Sequence, residues 1–294
     1  MSSMTPTEAA DLFRNAPHEM IDVGHGAAVA YRVAGSGPDV LFVHGWPVSG
    51  ATYRTLLPYL AEHVTCHLID LPGAGSSTWT AESPLSLELH VEAVRAVVDH
   101  LGLDSVTVVG HDSGGMIGRH ALAGDERVRA WGMIDTEQPR GTNWRFDLFL
   151  GSRHLPGFGA ALGWLAGKPS LRRNQFVLGG AFVDRSLLDG EFNEFFLEPL
   201  HNDAEYRAAT MRILQSFDKR YVAELGALHA KIDEPVQMVW GAEDKFFPPS
   251  WAEEMVDTFA DARLEIIDSA ALFSHEERPA EVAAALRPVL AGSD

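Results

Sequence analysis

Residues 105–115 read Ser105-Val106-Thr107-Val108-Val109-Gly110-His111-Asp112-Ser113-Gly114-Gly115. An apolar, β-branched run suited to a buried strand ends at a glycine. A polar triplet follows, and two glycines then open a stretch suited to a helix. A tight strand–turn–helix apex of this kind holds one side chain out as a nucleophile, with glycines on either side to admit close backbone approach. The residue midway between Gly110 and Gly114 is Asp112. Taking Ser113 as the apex would put His111 at the preceding glycine position, where a side chain should clash, so the aspartate register is preferred. The bland alternative is that Asp112 merely caps a helix N-terminus, a position where Asp is favoured anyway.

Three further segments fit the same scheme. His44-Gly45-Trp46-Pro47 closes the apolar run Val40-Leu41-Phe42-Val43, and a His-Gly loop there can build an oxyanion hole from the backbone N–H groups of Trp46 and Ser113. Gly241-Ala242-Glu243-Asp244 follows the run 236–240. A carboxylate at the end of a late strand is placed to orient a histidine, so Asp244 is the expected acid, with Asp135 as the competing one. Phe273-Ser274-His275-Glu276-Glu277 lies after the last strand-like run, which makes His275 the expected base. The order nucleophile, acid, histidine is the one this architecture uses.

The surrounding chain alternates short β-branched runs, expected as strands at 27–33, 39–43, 64–70, 105–110, 128–135, 235–241 and 263–268, with helical periods such as 86–101. That alternation predicts an α/β fold, a mostly parallel central sheet with helices on both faces. From about 137 to 230 no strand pattern is visible, only helix-like aromatic-rich stretches such as 192–197 and 204–217. The expectation is a core made of 1–136 and 231–294, with 137–230 inserted as a helical cap (lid) over the strands' C-terminal ends.

The 294 residues carry 23 Lys+Arg against 41 Asp+Glu, a formal charge of −18. That balance argues against nucleic acid or an anionic membrane as partner. The single cysteine, Cys66, sits in an apolar run and reads as core; it forms no intrachain disulfide. The N-terminus has neither a basic region nor an apolar signal core, and no apolar run is long enough to span a bilayer, so a cytoplasmic protein acting on a small-molecule substrate is expected. No metal or organic cofactor is implied, since the histidines lack metal-ligand spacing. Oligomeric state is not legible.

Together these motifs resemble the α/β-hydrolase superfamily, within it the branch of epoxide hydrolases and dehalogenases that use an aspartate nucleophile. His44-Gly45-Trp46-Pro47 with Gly110-His111-Asp112 looks most like epoxide hydrolases, and Asp70-Leu71-Pro72-Gly73-Ala74-Gly75-Ser76-Ser77 is similar to the superfamily's Asp-x-x-Gly-x-Gly-x-Ser segment. Haloalkane dehalogenases usually carry Asn and Trp where this chain has Trp46 and Ser113, and fluoroacetate dehalogenases usually show arginines just after the nucleophile; neither pattern is present. The resemblance implies two-step covalent catalysis. Asp112 would open an epoxide to an alkyl-enzyme ester, and His275, oriented by Asp244, would activate water against that ester. Epoxide hydrolases usually add two cap tyrosines that bond the ring oxygen; Tyr206, Tyr221 and His154 are the candidates in the cap, with His44 a further substrate-binding candidate. A haloalkane or haloacid dehalogenase, with a halide cradle from Trp46, Trp144 or Trp164, is the alternative. A non-catalytic ligand-binding protein is the third reading.

Overall fold

The computed structural model describes residues 4–290; Met1 to Ser3, within the N-terminal stretch read above, and the last four residues lie outside it. Eight strands form one sheet: β1 (Glu19–Asp22), β2 (Ala28–Gly35), β3 (Asp39–Val43), β4 (Thr65–Asp70), β5 (Val106–His111), β6 (Val128–Ile134), β7 (Val236–Gly241) and β8 (Ala262–Ile267). Their spatial order is β1-β2-β4-β3-β5-β6-β7-β8. β2 runs antiparallel to both β1 and β4, and every other pairing is parallel. All seven expected strands are present, each within one or two residues of its expected ends, and β1 is the addition. It is short, with only Ile21 buried, so it carries too little apolar alternation to signal a strand.

β5 lies between β3 and β6, and all six of its residues are buried. A strand covered on both faces has no reason to alternate polar and apolar residues, which is why its sequence reads as a continuous Val-rich run. The helix Leu87–Leu101 shows the complementary pattern. Leu87, Val91, Val94, Val97 and Val98 are buried, Ser86 caps its start by accepting from the Leu89 N–H, and Gly102 ends it at a φ of 59°. Cys66 is buried on β4 without a partner, and burial pushes its thiol up to about 12. That suits an inert core residue.

Between β6 and β7 the chain is helical, with no strand among the described residues. The stretch at 192–197 is a short π-turn at Asn193–Leu197, and 204–217 is the helix Ala204–Ser216. Trp46 ties this helical segment to the sheet, its indole N–H donating to Thr210 O at 2.9 Å. No helix of the described residues is long and apolar enough to cross a membrane.

Candidate active site

Asp112 stands at the turn between β5 and the helix Ser113–Leu122, with φ 51° and ψ −137°. A non-glycine residue held there stores of the order of 1–3 kcal/mol, which the buried surroundings must over-determine. It does not cap its helix through its side chain. Instead its Oδ2 accepts the Trp46 N–H at 2.9 Å, and the Ser113 backbone N–H bears on the same carboxylate. The loop after β3 reaches in only because Gly45 lacks a side chain: a Cβ there would sit 2.5 Å from Oδ2. His44 holds the loop's shape. Its Nε2 accepts the Leu71 N–H at 2.8 Å, which leaves the proton on Nδ1 to donate to Gly45 O at 2.8 Å. Burial holds its pKa down, in keeping with this neutral tautomer. His44 therefore positions the loop and does not line the large cavity below.

That cavity, about 480 Å³, has Asp112, Ser113 and Glu137 on its wall, and the rest of its lining is dominated by Trp46, Phe146, Phe149, Phe158 and Phe217 with leucines from the helical segment. Its mouth carries Trp144 and Phe176, both largely exposed. Aromatic and aliphatic walls with a few convergent polar groups are the usual make-up of a small-molecule site. Among the described residues no group of three or more His, Cys, Asp or Glu is arranged to hold a metal ion.

The expected triad is not assembled. His275 is fully buried and does not line the cavity. Its Nε2 lies 2.8 Å from Thr52 Oγ1, and Thr52 gives its own proton to Glu276 at 3.0 Å, so Nε2 is the protonated nitrogen; Nδ1 has no partner. Burial beside His111 and Arg54 pushes His275 well below the ordinary histidine range. The short helix Ser274–Glu277 turns it toward Thr52 and Tyr53, while Leu272 and Phe273 of the same loop take the places on the cavity wall. Asp244 spends Oδ1 on the N–H groups of Phe246 and Phe247, at 2.7 and 3.0 Å, and its Oδ2 is buried without a partner. Burial pushes this carboxyl up to about 7. Asp135, the competing acid, is a strut: Oδ1 accepts the Gly241 N–H at 2.7 Å and Oδ2 the Ser274 hydroxyl.

The expected cap donors are also elsewhere. Tyr206 lines a separate, water-sized hollow with His44 and Thr210, and its hydroxyl faces the backbone of Gly75. Tyr221 packs edge-on against His120 beside Arg220 and Glu88. His154 is exposed and lines neither space. A residue not singled out from sequence, Glu137, faces Asp112 instead. It is 1 % exposed, its Oε1 has no partner, and burial raises it to about 7. Burial and this neighbour push Asp112 up in turn, while the Trp46 and Ser113 N–H groups oppose the rise. The sequence signal was available: Glu137 falls three residues past the end of β6, at the edge where this architecture gathers its chemistry.

A family model described as alpha/beta hydrolase fold matches residues 38–279, and the chain belongs to that family. A pimeloyl-[acyl-carrier protein] methyl ester esterase of Stenotrophomonas maltophilia is 29% identical over 239 residues, covering 74% of this chain and 80% of the esterase. A soluble epoxide hydrolase of Corynebacterium sp. is 40% identical over 96 residues, 32% of each chain. Among solved structures, an α/β-hydrolase-fold protein from Burkholderia ambifaria superposes with a TM-score of 0.75 at 23% identity, covering 92% of this chain and 99% of that one. In sequence, the expected nearness to epoxide hydrolases has a counterpart over a third of the chain, and a match spanning most of it is to an esterase.

Proposed function

We propose that this protein opens small apolar epoxides through a covalent ester on Asp112. The observation that carries the reading is that the nucleophile's own oxygen, Oδ2, already occupies the backbone N–H hole at the wall of an apolar cavity. An enzyme that attacks acyl carbon needs that hole for the substrate's carbonyl oxygen. Here the hole serves a different step. Once Asp112 has been alkylated through Oδ1, water adding to its carboxyl carbon generates an oxyanion at Oδ2, where each N–H is worth about 3–4 kcal/mol. A carboxylate is a weak acyl nucleophile but displaces a leaving group from saturated carbon, which fits an epoxide better than an ester. The helical segment acts as the lid that keeps water from the first step.

The dehalogenase reading has less support: the Trp46 indole N–H is committed to Thr210 O, Trp164 is not on the cavity wall, and Trp144 lies at its exposed mouth. One observation favours a binding protein without turnover, namely that among the described residues the donors on the Asp112 carboxylate are backbone N–H groups and none is a histidine. Styrene oxide and p-nitrophenyl esters of short acids separate these readings. The epoxide reading expects diol from the wild type, at least about a thousandfold less from Asp112→Asn, and uncleaved esters. Ester cleavage with the epoxide untouched would replace it by the esterase reading. An epoxide bound and recovered unchanged would replace it by the binding-protein reading.

A further inference from the structure

We propose that Glu137 performs the proton chemistry that the missing histidine and the missing tyrosines leave undone, first as the acid that releases the epoxide oxygen and then as the base that activates water. The proposal rests on the Asp112 reading above.

Glu137 is placed for this by its own backbone. Arg119, fully buried on the elbow helix, donates from Nη2 to Glu137 O at 2.8 Å and to Thr136 Oγ1 at 2.9 Å, so the segment after β6 is pinned against the helix that Asp112 begins. Thr136 has one hydroxyl proton and two acceptors in reach, Asp112 O at 2.7 Å and Glu137 Oε2 at 3.2 Å. The shorter contact takes the proton. The longer contact to Glu137 is then open to a proton carried by Glu137 itself, which the free lone pair of the Thr136 hydroxyl can accept; the Glu137 N–H also bears on this carboxyl. Its other oxygen, Oε1, has no protein partner in a residue that lines the cavity. The charged groups bearing on it are Arg119 and Asp112; Asp244 acts on Asp112 in turn, and Arg145 shares the cavity wall. Burial raises both carboxyls, and each disfavours charge on the other; the Trp46 and Ser113 N–H pair bears on Asp112 alone, so the charge is assigned to Asp112 and the proton to Glu137.

The steps balance. An Asp112 oxygen forms a bond to an epoxide carbon, the ring C–O bond breaks, and the alkoxide takes the Glu137 proton, leaving a hydroxyalkyl ester and a Glu137 carboxylate. That carboxylate removes a proton from water, and the hydroxide adds to the ester carbon. Collapse expels the second alkoxide, which takes the proton of the regenerated Asp112 carboxyl. Epoxide and water have become diol, with Asp112 again ionised and Glu137 again protonated. One carboxyl acting as acid and then base is the economy of retaining glycoside hydrolysis.

The test uses the full chain with styrene oxide. Glu137→Gln should cut diol release by about a hundredfold or more and leave an Asp112 peptide heavier by one whole epoxide, because the amide cannot activate water; Glu137→Asp should restore part of the rate. The pH–rate profile of the wild type should carry an ionisation near pH 7, and the Gln variant should lose it. A Gln variant with the wild-type rate and pH profile overturns the role of Glu137. Loss of the adduct from every variant, with Asp112→Asn still active, overturns the Asp112 reading instead. Carboxyl-carbon NMR without substrate gives an independent check: Glu137 should titrate near neutrality and move down in Asp112→Asn. Titration in the ordinary carboxylate range overturns the proposal whatever the substrate.

Discussion

Leu272 stands on the loop after β8, at the cavity wall. It lines the same cavity as Asp112 and Glu137, and its loop lies against the loop carrying Asp244, with the Glu243 N–H donating to Ala270 O at 2.9 Å. Asp244 Oδ2 waits there without a donor. Leu272→His is therefore expected to supply an imidazole for that carboxylate and to speed breakdown of the Asp112 ester by about tenfold or more, read from the decay of the adduct mass. His275→Gln makes the opposite case: it should leave the rate within a few-fold and cost about 1–3 kcal/mol of stability through the lost Thr52 contact, read from denaturant midpoints. A collapse of activity with stability intact would restore His275 to the chemistry. From sequence alone His275 was the obvious base, because it is the histidine in the right loop. Which residue of a loop faces the cavity is fixed by a single turn of helix at Ser274–Glu277, and periodicity over so few residues carries no information about it. At the end of β6 the sequence offers Asp135, closer to the strand, as the obvious carboxylate, whereas the structure spends Asp135 on Gly241 and Ser274 and puts Glu137 on the cavity wall.

At the scale of elements, the strand–elbow–helix unit was legible in detail, since its requirements are steric and local. A Cβ on Gly114 would come 2.1 Å from Val43 O and 2.5 Å from His44 O, backbone atoms that cannot give way. Gly114→Ala is expected to cost about 2–4 kcal/mol and to displace the loop bearing Trp46, so both the urea midpoint and the diol rate should fall. An alanine variant of wild-type stability and rate would mean that the helix can slide away from β3. The helical segment between β6 and β7 was readable only as helical. Its donors Tyr206 and Tyr221 sit at helix positions whose facing depends on how each short helix packs, and the two hydroxyls are turned to Gly75 and to Arg220 with Glu88. Helical spacing says which residues share a face, and the neighbouring elements decide what that face meets.

For the whole molecule the unusual feature is a set of buried acids, Asp112, Asp135, Glu137 and Asp244, all pushed upward by burial. Each binds its proton more tightly in the folded chain than in the unfolded one. Their contribution to stability is therefore fully present below the ordinary carboxylate range near 4 and is lost as pH rises through about 7, the value reached by Glu137 and Asp244. The formal charge of −18 adds self-repulsion in the same direction. Chemical denaturation between pH 5 and 8 should show stability falling with pH, and Glu137→Gln should flatten that fall by an amount on the order of 2 kcal/mol. A slope unchanged by the substitution would mean that Glu137 titrates normally.

The covalent ester is most directly tested by one turnover in water labelled in its oxygen, with enzyme in excess over styrene oxide. If Asp112 attacks carbon and water then attacks Asp112, the first diol carries only unlabelled oxygen, and the label appears in the peptide containing Asp112. Label entering the diol on the first turnover, with that peptide unlabelled, would show that water attacks the epoxide directly and would contradict the account.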